Sequence, residues 1–115
     1  QPLGYEEETT LDGESSTIQE ASEALQTILS TKLVLGFHPD QATDPSMDLA
    51  ILLGVPYCIV PCCVFPREFP HRQLVDGSRV RNYPELIQYL QNRYNPRTDK
   101  LPFHFTETSK NLVLY

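Results

Sequence analysis

The first third of the chain carries apolar residues that recur every three or four positions, the spacing of one face of a helix. Ser16 and Gln19 have the spacing of a capping box, so this pattern predicts an amphipathic helix over Thr17–Ser30. The residues before it are acidic and interrupted by proline and glycine. We therefore expect a flexible acidic segment over residues 1–15 and one domain over residues 16–115.

Two short apolar runs follow, Leu33–Phe37 and Tyr57–Val60, and each ends at polar or reactive residues. Between them, Asp44-Pro45 predicts the start of a helix, and Gly54 can close that helix in the left-handed conformation. Parallel strands require such a crossover connection. The pattern predicts a βαβ unit, in which the carboxyl ends of both strands lie at one edge of the sheet.

A long irregular segment separates this unit from a third helix. The Asp76-Gly77 turn signal allows a small hairpin over Gln73–Arg81. Asn82 and Glu85 have the spacing of a helix N-terminus, and the apolar positions after them predict a helix that ends before Asn95-Pro96.

The last predicted elements are two strands, Pro102–Thr106 and Asn111–Tyr115, joined by a polar turn as an antiparallel pair. Strands alternating with helices indicate an α/β domain. The predicted fold is a parallel sheet with flanking helices and a C-terminal antiparallel strand pair.

Charge is distributed unevenly along the chain. The net charge is −6, with acidic residues concentrated before residue 24, whereas residues 66–97 hold six arginines against three acids. Scattered charges of this kind are more typical of a solvated surface than of a recognition site. The arginines nevertheless leave open a phosphate-bearing partner, such as RNA or a small-molecule substrate.

Three cysteines cluster at Cys58, Cys62 and Cys63, a pattern typical of a reducing, intracellular and cytoplasmic environment. Because adjacent cysteines pair only through a strained ring, all three are predicted to be thiols. The apolar runs are far shorter than the roughly 20 residues that cross a bilayer, so no membrane partner is expected. The chain starts at Gln1 without signal-peptide features, which suggests a fragment.

Ligands of open α/β sheets bind beyond the carboxyl ends of the parallel strands. Two segments meet this condition, and neighbouring strands about 4.8 Å apart would bring their side chains into one cleft. The first segment contains His38, Pro39, Asp40, Gln41, Thr43 and Asp44, and the second contains Pro61, Cys62 and Cys63.

Each candidate also has a purely structural interpretation. His38 can donate to a loop carbonyl, and Asp40 and Asp44 can cap the following helix. Free cysteines are often small buried apolar residues, and a nucleophilic thiol would need a lowered pKa. Adjacent cysteines lack the C-x2-4-C spacing of structural zinc sites, so the sequence predicts no metal site.

The order of elements from Leu33 onward resembles the second half of the seven-stranded, Rossmann-like fold of class I methyltransferases. The segment VLGFHPDQATDPSMDLAILLGVPYCIVPCCVF, residues 34–65, resembles a region of RNA-methyltransferase-like proteins. There, a strand ending in His precedes a helix that contains Ala-Thr-Asp, and the next strand ends in Pro-Cys-Cys. The resemblance covers residues 33–115.

This resemblance implies S-adenosylmethionine as cofactor, with the residues after the first strand near the methyl donor and those after the second on the substrate side. No counterpart exists of the glycine-rich loop and acidic residue that hold the cofactor in this family, so binding requires a missing N-terminal half as partner. A second copy of the chain is the other expected partner. The assigned roles are catalytic for His38, Asp40, Cys62 and Cys63, cofactor-binding for His38, Pro39 and Gln41, and substrate-binding for Thr43, Asp44, Arg67 and Arg72.

Two other functional classes stay open. One is a non-catalytic Rossmann-like binding or scaffold module, since a fold does not establish an activity. The other is a thiol- or metal-dependent activity at His38, Asp40, Cys62 and Cys63.

Overall fold

The computed structural model describes residues 10–102 and 110–115, which divide into two units at Thr31. The unit before Lys32 contains α1, Thr10–Leu29. The second unit contains, in chain order, β1 (Val34–Phe37), a 3-10 turn (Asp40–Ala42), α2 (Thr43–Leu53), β2 (Tyr57–Val60), α3 (Tyr83–Tyr94), β3 (Thr98–Lys100) and β4 (Leu112–Leu114). No helix in the described ranges has both the length and the apolar character needed to cross a membrane.

Helix α1 begins at Thr10, so the predicted start at Thr17 was wrong by more than one turn. The predicted capping residue Ser16 lies inside the helix, and the Thr17 hydroxyl donates to the carbonyl of Gly13, four residues earlier. Such bonds let hydroxyl residues occupy helix interiors. Residues 10–15 of the predicted flexible segment are therefore helical, whereas residues 1–9 lie outside the described residues.

The second unit is a mixed α/β fold, as predicted, built on an open four-stranded sheet of order β1-β2-β4-β3. Strands β1 and β2 pair in parallel from Val34 with Tyr57 to Phe37 with Val60. The other two pairings, β2 with β4 and β3 with β4, are antiparallel, so most of the sheet is not parallel. The predicted βαβ unit and the presence of a C-terminal antiparallel strand pair are confirmed.

The partner of β4 differs from the prediction. It is Thr98–Lys100, whereas residues 103–106 of the predicted strand lie outside the described residues. All three residues of β3 are exposed, so the strand has no apolar alternation for a sequence pattern to detect. Such a short, charged strand suits the edge of a sheet.

The core lies on one face of the sheet, under α2 and α3. Its buried members are Met47, Ile59, Val80, Leu86, Tyr89, Leu90 and Leu114. On the other face, Leu35 and Phe37 of β1 are 69% and 56% exposed, whereas Val60 of β2 is 3% exposed. An apolar depression of about 300 Å³ lies there, lined by Leu35, Gly36, Phe37, Cys58, Val60 and Leu101.

The ends of the helices fix where the chain enters and leaves the core. Gly54 closes α2 in the left-handed conformation, as predicted, with φ 66°. The Asn82 side chain accepts from the Glu85 backbone amide at 3.0 Å and caps α3, also as predicted. The predicted hairpin over Gln73–Arg81 is reduced to a single bridge between Gln73 and Arg79.

Candidate functional site

The candidate site lies where β1 and β2 end side by side. Phe37 and Val60 are the last paired residues, and the His38 amide donates to the Val60 carbonyl at 2.9 Å. The chain therefore leaves both strands at the same edge of the sheet, as the crossover predicted. Ligands of open α/β sheets bind at this edge.

His38 is held by its backbone, by one face of its ring and by Nε2. Its φ of 51° lies in the left-handed region, which non-glycine residues rarely adopt. The ring stacks on Phe37 with centroids 4.4 Å apart, and Nε2 lies 3.1 Å from the carbonyl oxygen of Lys110. Because a carbonyl only accepts, Nε2 is the donor of this hydrogen bond.

Asp40 also has a left-handed backbone, with φ 53°, and Phe65 beyond the tip of β2 has φ 51°. Strained backbone of this kind concentrates at functional sites because the surrounding structure must impose it. The Thr43 hydroxyl donates to the Asp40 carbonyl at 2.9 Å, which fixes the turn between β1 and α2. The Asp40 carboxylate is exposed and turned toward the tip of β2.

Asp40, Cys62 and Cys63 form one cluster, which we call the thiol–carboxylate cluster. The Cys62 thiol donates to Asp40 Oδ1 at 3.1 Å, and the two sulfurs are 3.5 Å apart. One ligand atom from each of the three residues lies within 4.8 Å of the others. The structure thus brings together three of the four residues predicted to be catalytic, and His38 lies on the same strand end.

Burial, the hydrogen bond to Asp40 and the neighbouring Cys63 raise the pKa of the Cys62 thiol from 9.0 to about 12. Each cause disfavours the thiolate, because a negative charge would be desolvated and placed beside other acidic groups. Burial, with a contribution from Cys62, also raises the pKa of Tyr83. A nucleophilic cysteine requires the opposite shift, so this environment disfavours the thiol-nucleophile hypothesis.

We expect Cys62 to resist alkylation at neutral pH and to react only as the pH approaches about 12. Since Asp40 contributes to the raised pKa, Asp40→Asn should move the onset of Cys62 alkylation to lower pH. Tandem mass spectrometry of iodoacetamide-treated protein across a pH series measures both effects. Glu68→Gln, which alters an exposed carboxylate elsewhere, is the control. Rapid alkylation of Cys62 at neutral pH would contradict the expectation.

Asp44 and Arg72 are buried, which corrects their predicted place on the substrate side of the cleft. The Arg72 side chain is 2% exposed and donates twice to the Asp44 carboxylate, from Nε at 3.0 Å and Nη2 at 2.8 Å. Its Nη1 donates to the Val64 carbonyl at 2.8 Å, and its guanidinium lies 3.9 Å from the centroid of the Phe69 ring. The pair fixes the segment after β2 against α2. Asp44 is also inside the first turn of α2, not its cap.

The remaining predicted residues are divided between surface and interior. Gln41 and Arg67 are exposed, and Pro39 is half-buried. Thr43 is buried, and its hydroxyl is bound to the Asp40 carbonyl. Arg79 is exposed and donates to the Pro66 carbonyl at 3.1 Å.

Two residues that sequence reasoning missed belong to the site. Lys110 contacts His38 through its carbonyl and places its ammonium 4.5 Å from the centroid of the Tyr83 ring. Cys62 in turn contributes to the raised pKa of Tyr83. Neither position carried a signal, because Tyr83 has the pattern of a first helical turn and Lys110 that of a polar turn. Only the pairing of β4 with β2 brings Lys110 to this edge.

No family model, curated protein or solved structure matches the chain. The function must therefore be argued from the geometry of the strand ends and the chemistry of the groups found there.

Proposed function

We propose that this chain is the substrate-side, C-terminal half of a Rossmann-like, S-adenosylmethionine-dependent methyltransferase-like domain. The observation that carries the proposal is the convergence of His38, Asp40 and Cys62 beyond the carboxyl ends of two neighbouring parallel strands. This is where open α/β sheets bind ligands. The order of elements, a βαβ unit, a long loop, a helix and an antiparallel pair, agrees with the resemblance described above.

The surface of the sheet supports a larger domain. Among the described strands, β1 is at the edge of the sheet, and its Leu35 and Phe37 side chains are 69% and 56% exposed. Proteins normally cover apolar side chains at the edge of a sheet. Further strands paired along β1, with a helix over the apolar depression, would complete a sheet with both faces covered.

The residues present suit one wall of a cofactor site. The exposed Asp40 carboxylate would lie favourably near a cationic sulfonium, and the His38 ring, whose Nε2 is bound to the Lys110 carbonyl, has Nδ1 available for a hydrogen bond. S-adenosylmethionine would supply an electrophilic methyl group. The described residues contain no glycine-rich loop after a strand, so the rest of the cofactor would be held by the N-terminal half.

The role of this chain would be positioning. Methyl transfer requires donor and acceptor in line, and holding two reactants in line supplies much of a rate enhancement. The strained turns at His38 and Asp40 are fixed by backbone and side-chain hydrogen bonds, which gives the required rigidity. Arg67 and Arg81 are exposed, and exposed arginines favour a phosphate-bearing acceptor such as RNA.

Calorimetric titration of S-adenosylhomocysteine into the complete protein that contains this chain tests the proposal. We expect a dissociation constant on the order of micromolar, weakened about 10-fold or more by Asp40→Asn or His38→Ala, since each removes roughly 1.4 kcal/mol or more of binding free energy. Asp99→Asn and His71→Ala are matched controls at exposed positions away from the strand ends.

The controls should bind as the unmodified protein does. A folded protein that binds neither S-adenosylhomocysteine nor S-adenosylmethionine would overturn the proposal and favour a non-catalytic scaffold that keeps only the fold. Equal binding by the Asp40 and His38 variants would exclude this strand end from the cofactor site.

A further inference from the structure

The thiol–carboxylate cluster has features that methyl transfer does not require. Three potential ligand atoms, two sulfurs and one carboxylate oxygen, come from the ends of two different strands and lie within 4.8 Å of one another. Asp40 and Cys63 are exposed, and Cys62 is half-buried. The cluster is thus reachable from solvent on one side and supported by the sheet on the other.

The position of the two sulfurs is unusual for adjacent residues. In an extended strand, neighbouring side chains point to opposite faces of the sheet. Here β2 ends at Val60, and beyond Pro61 the sulfurs of the two adjacent cysteines lie 3.5 Å apart. The lack of C-x2-4-C spacing in the sequence therefore does not prevent both cysteines from reaching one ion.

The distances match those around a tetrahedral zinc ion. With Zn–S about 2.3 Å and Zn–O about 2.1 Å, two bound sulfurs are about 3.8 Å apart and a sulfur and an oxygen about 3.6 Å apart. The observed separations are 3.5 Å between the sulfurs and 3.1 Å between Cys62 Sγ and Asp40 Oδ1. The third separation, between Cys63 Sγ and the Asp40 carboxylate, is within 4.8 Å. Changes of about 0.5 Å or less in the first two separations, and of up to about 1.2 Å in the third, would make the arrangement tetrahedral.

We propose that Asp40, Cys62 and Cys63 bind one thiophilic divalent cation of the zinc class. Two thiolates select a soft or borderline ion over magnesium or calcium, which prefer oxygen ligands. As the ion binds, each thiol releases its proton to solvent and the Cys62 hydrogen bond to Asp40 is replaced by coordination. The three negative ligands and the dication leave a net charge of −1.

Three protein ligands leave the fourth tetrahedral position to water or to a bound molecule. Zinc sites with three protein ligands are typically catalytic and activate the molecule bound at the fourth position, whereas structural zinc sites have four protein ligands. The exposed Asp40 and Cys63 place this position on the solvent side of the strand ends. The proposal does not depend on cofactor binding and can be tested with this chain alone.

The test is a titration of the reduced, metal-free chain with Co²⁺. Binding is monitored through the ultraviolet charge-transfer absorption of thiolate-bound cobalt. We expect one cobalt per chain, displaced by an equivalent of Zn²⁺ because zinc binds more tightly in such sites. Substitution of a residue that only supports a metal ligand typically lowers metal affinity about 10- to 100-fold. Substitution of a ligand should cost more, so we expect Cys62→Ser, Cys63→Ser and Asp40→Asn each to weaken cobalt binding by about 100-fold or more.

Cys58→Ser is the matched control, because Cys58 lies within β2 and outside the cluster. This variant should bind cobalt with unchanged stoichiometry and affinity. Circular dichroism of every variant shows whether it is folded, and the exposed positions of Asp40 and Cys63 favour folding of those two variants.

Three results would overturn the proposal. They are the absence of thiolate absorption in the unmodified chain, an equal loss of binding in Cys58→Ser, and unchanged affinity in a folded Asp40→Asn variant. Because the titration contains no S-adenosylmethionine, its failure is separate from failure of the proposed methyltransferase function.

Discussion

Asp44→Ala is expected to lower the free energy of unfolding by about 3–5 kcal/mol, among the largest effects of any single substitution in the chain. Arg72 is 2% exposed, and its two hydrogen bonds to Asp44 compensate its buried charge. Removal of the carboxylate leaves a buried guanidinium with the Val64 carbonyl and the Phe69 and Tyr89 rings as its remaining partners. The segment after β2, and with it the position of Cys62 and Cys63, should loosen.

Urea unfolding followed by circular dichroism measures this effect. Asp99→Ala, which removes an exposed carboxylate on β3, is the matched control and should change stability by no more than about 0.5 kcal/mol. The double variant Asp44→Ala/Arg72→Ala should lose less than the sum of the two single losses, because it contains no unpaired charge. A loss below about 1 kcal/mol for Asp44→Ala would show that the pair contributes little.

Met47→Ala should lower the free energy of unfolding by about 2–5 kcal/mol. Met47 is 0% exposed and belongs to the same core cluster as Ile59 of β2 and Leu86 of α3. Truncation to Ala leaves a cavity between α2 and the sheet that close-packed neighbours fill only in part. The cost combines lost apolar burial with the cavity.

The matched control is Leu52→Ala, a truncation of similar size on the same helix at a side chain that is 82% exposed. It should change the urea midpoint only slightly, since leucine and alanine both favour helix and the substitution removes little buried apolar surface. Thermal or urea unfolding of the two variants under one set of conditions gives the comparison. Equal losses for Met47→Ala and Leu52→Ala would contradict the assignment of the core to this face of α2.

Local signals predicted several elements because their causes are local. The bounds of β2 were predicted correctly, since Pro56 and Pro61 interrupt the ladder on either side of an apolar run. The cap at Asn82 and the left-handed end at Gly54 follow from side-chain and backbone chemistry within a few residues. The start of α1 and the place of β3 had no such signal.

The part of the candidate site that could be predicted is the meeting of residues that directly follow β1 and β2. The convergence of His38 and Asp40 with Cys62 and Cys63 required only that β1 and β2 be parallel neighbours, and they are. The burial of Arg72 could not be predicted, because an arginine in a polar loop has the same local pattern whether it faces solvent or a buried carboxylate 28 positions earlier.

The sequence by itself determined the βαβ unit, the helix ends and the set of reactive residues at the strand tips, because apolar spacing, proline, glycine and capping side chains act over a few positions. Only the tertiary structure decided which of those residues meet. The 3.5 Å between the two sulfurs, the buried Asp44–Arg72 pair and the contact of Lys110 with His38 depend on the conformation of a loop or on pairings between distant segments. Such contacts arise from the packing of the whole unit, and no short pattern records them.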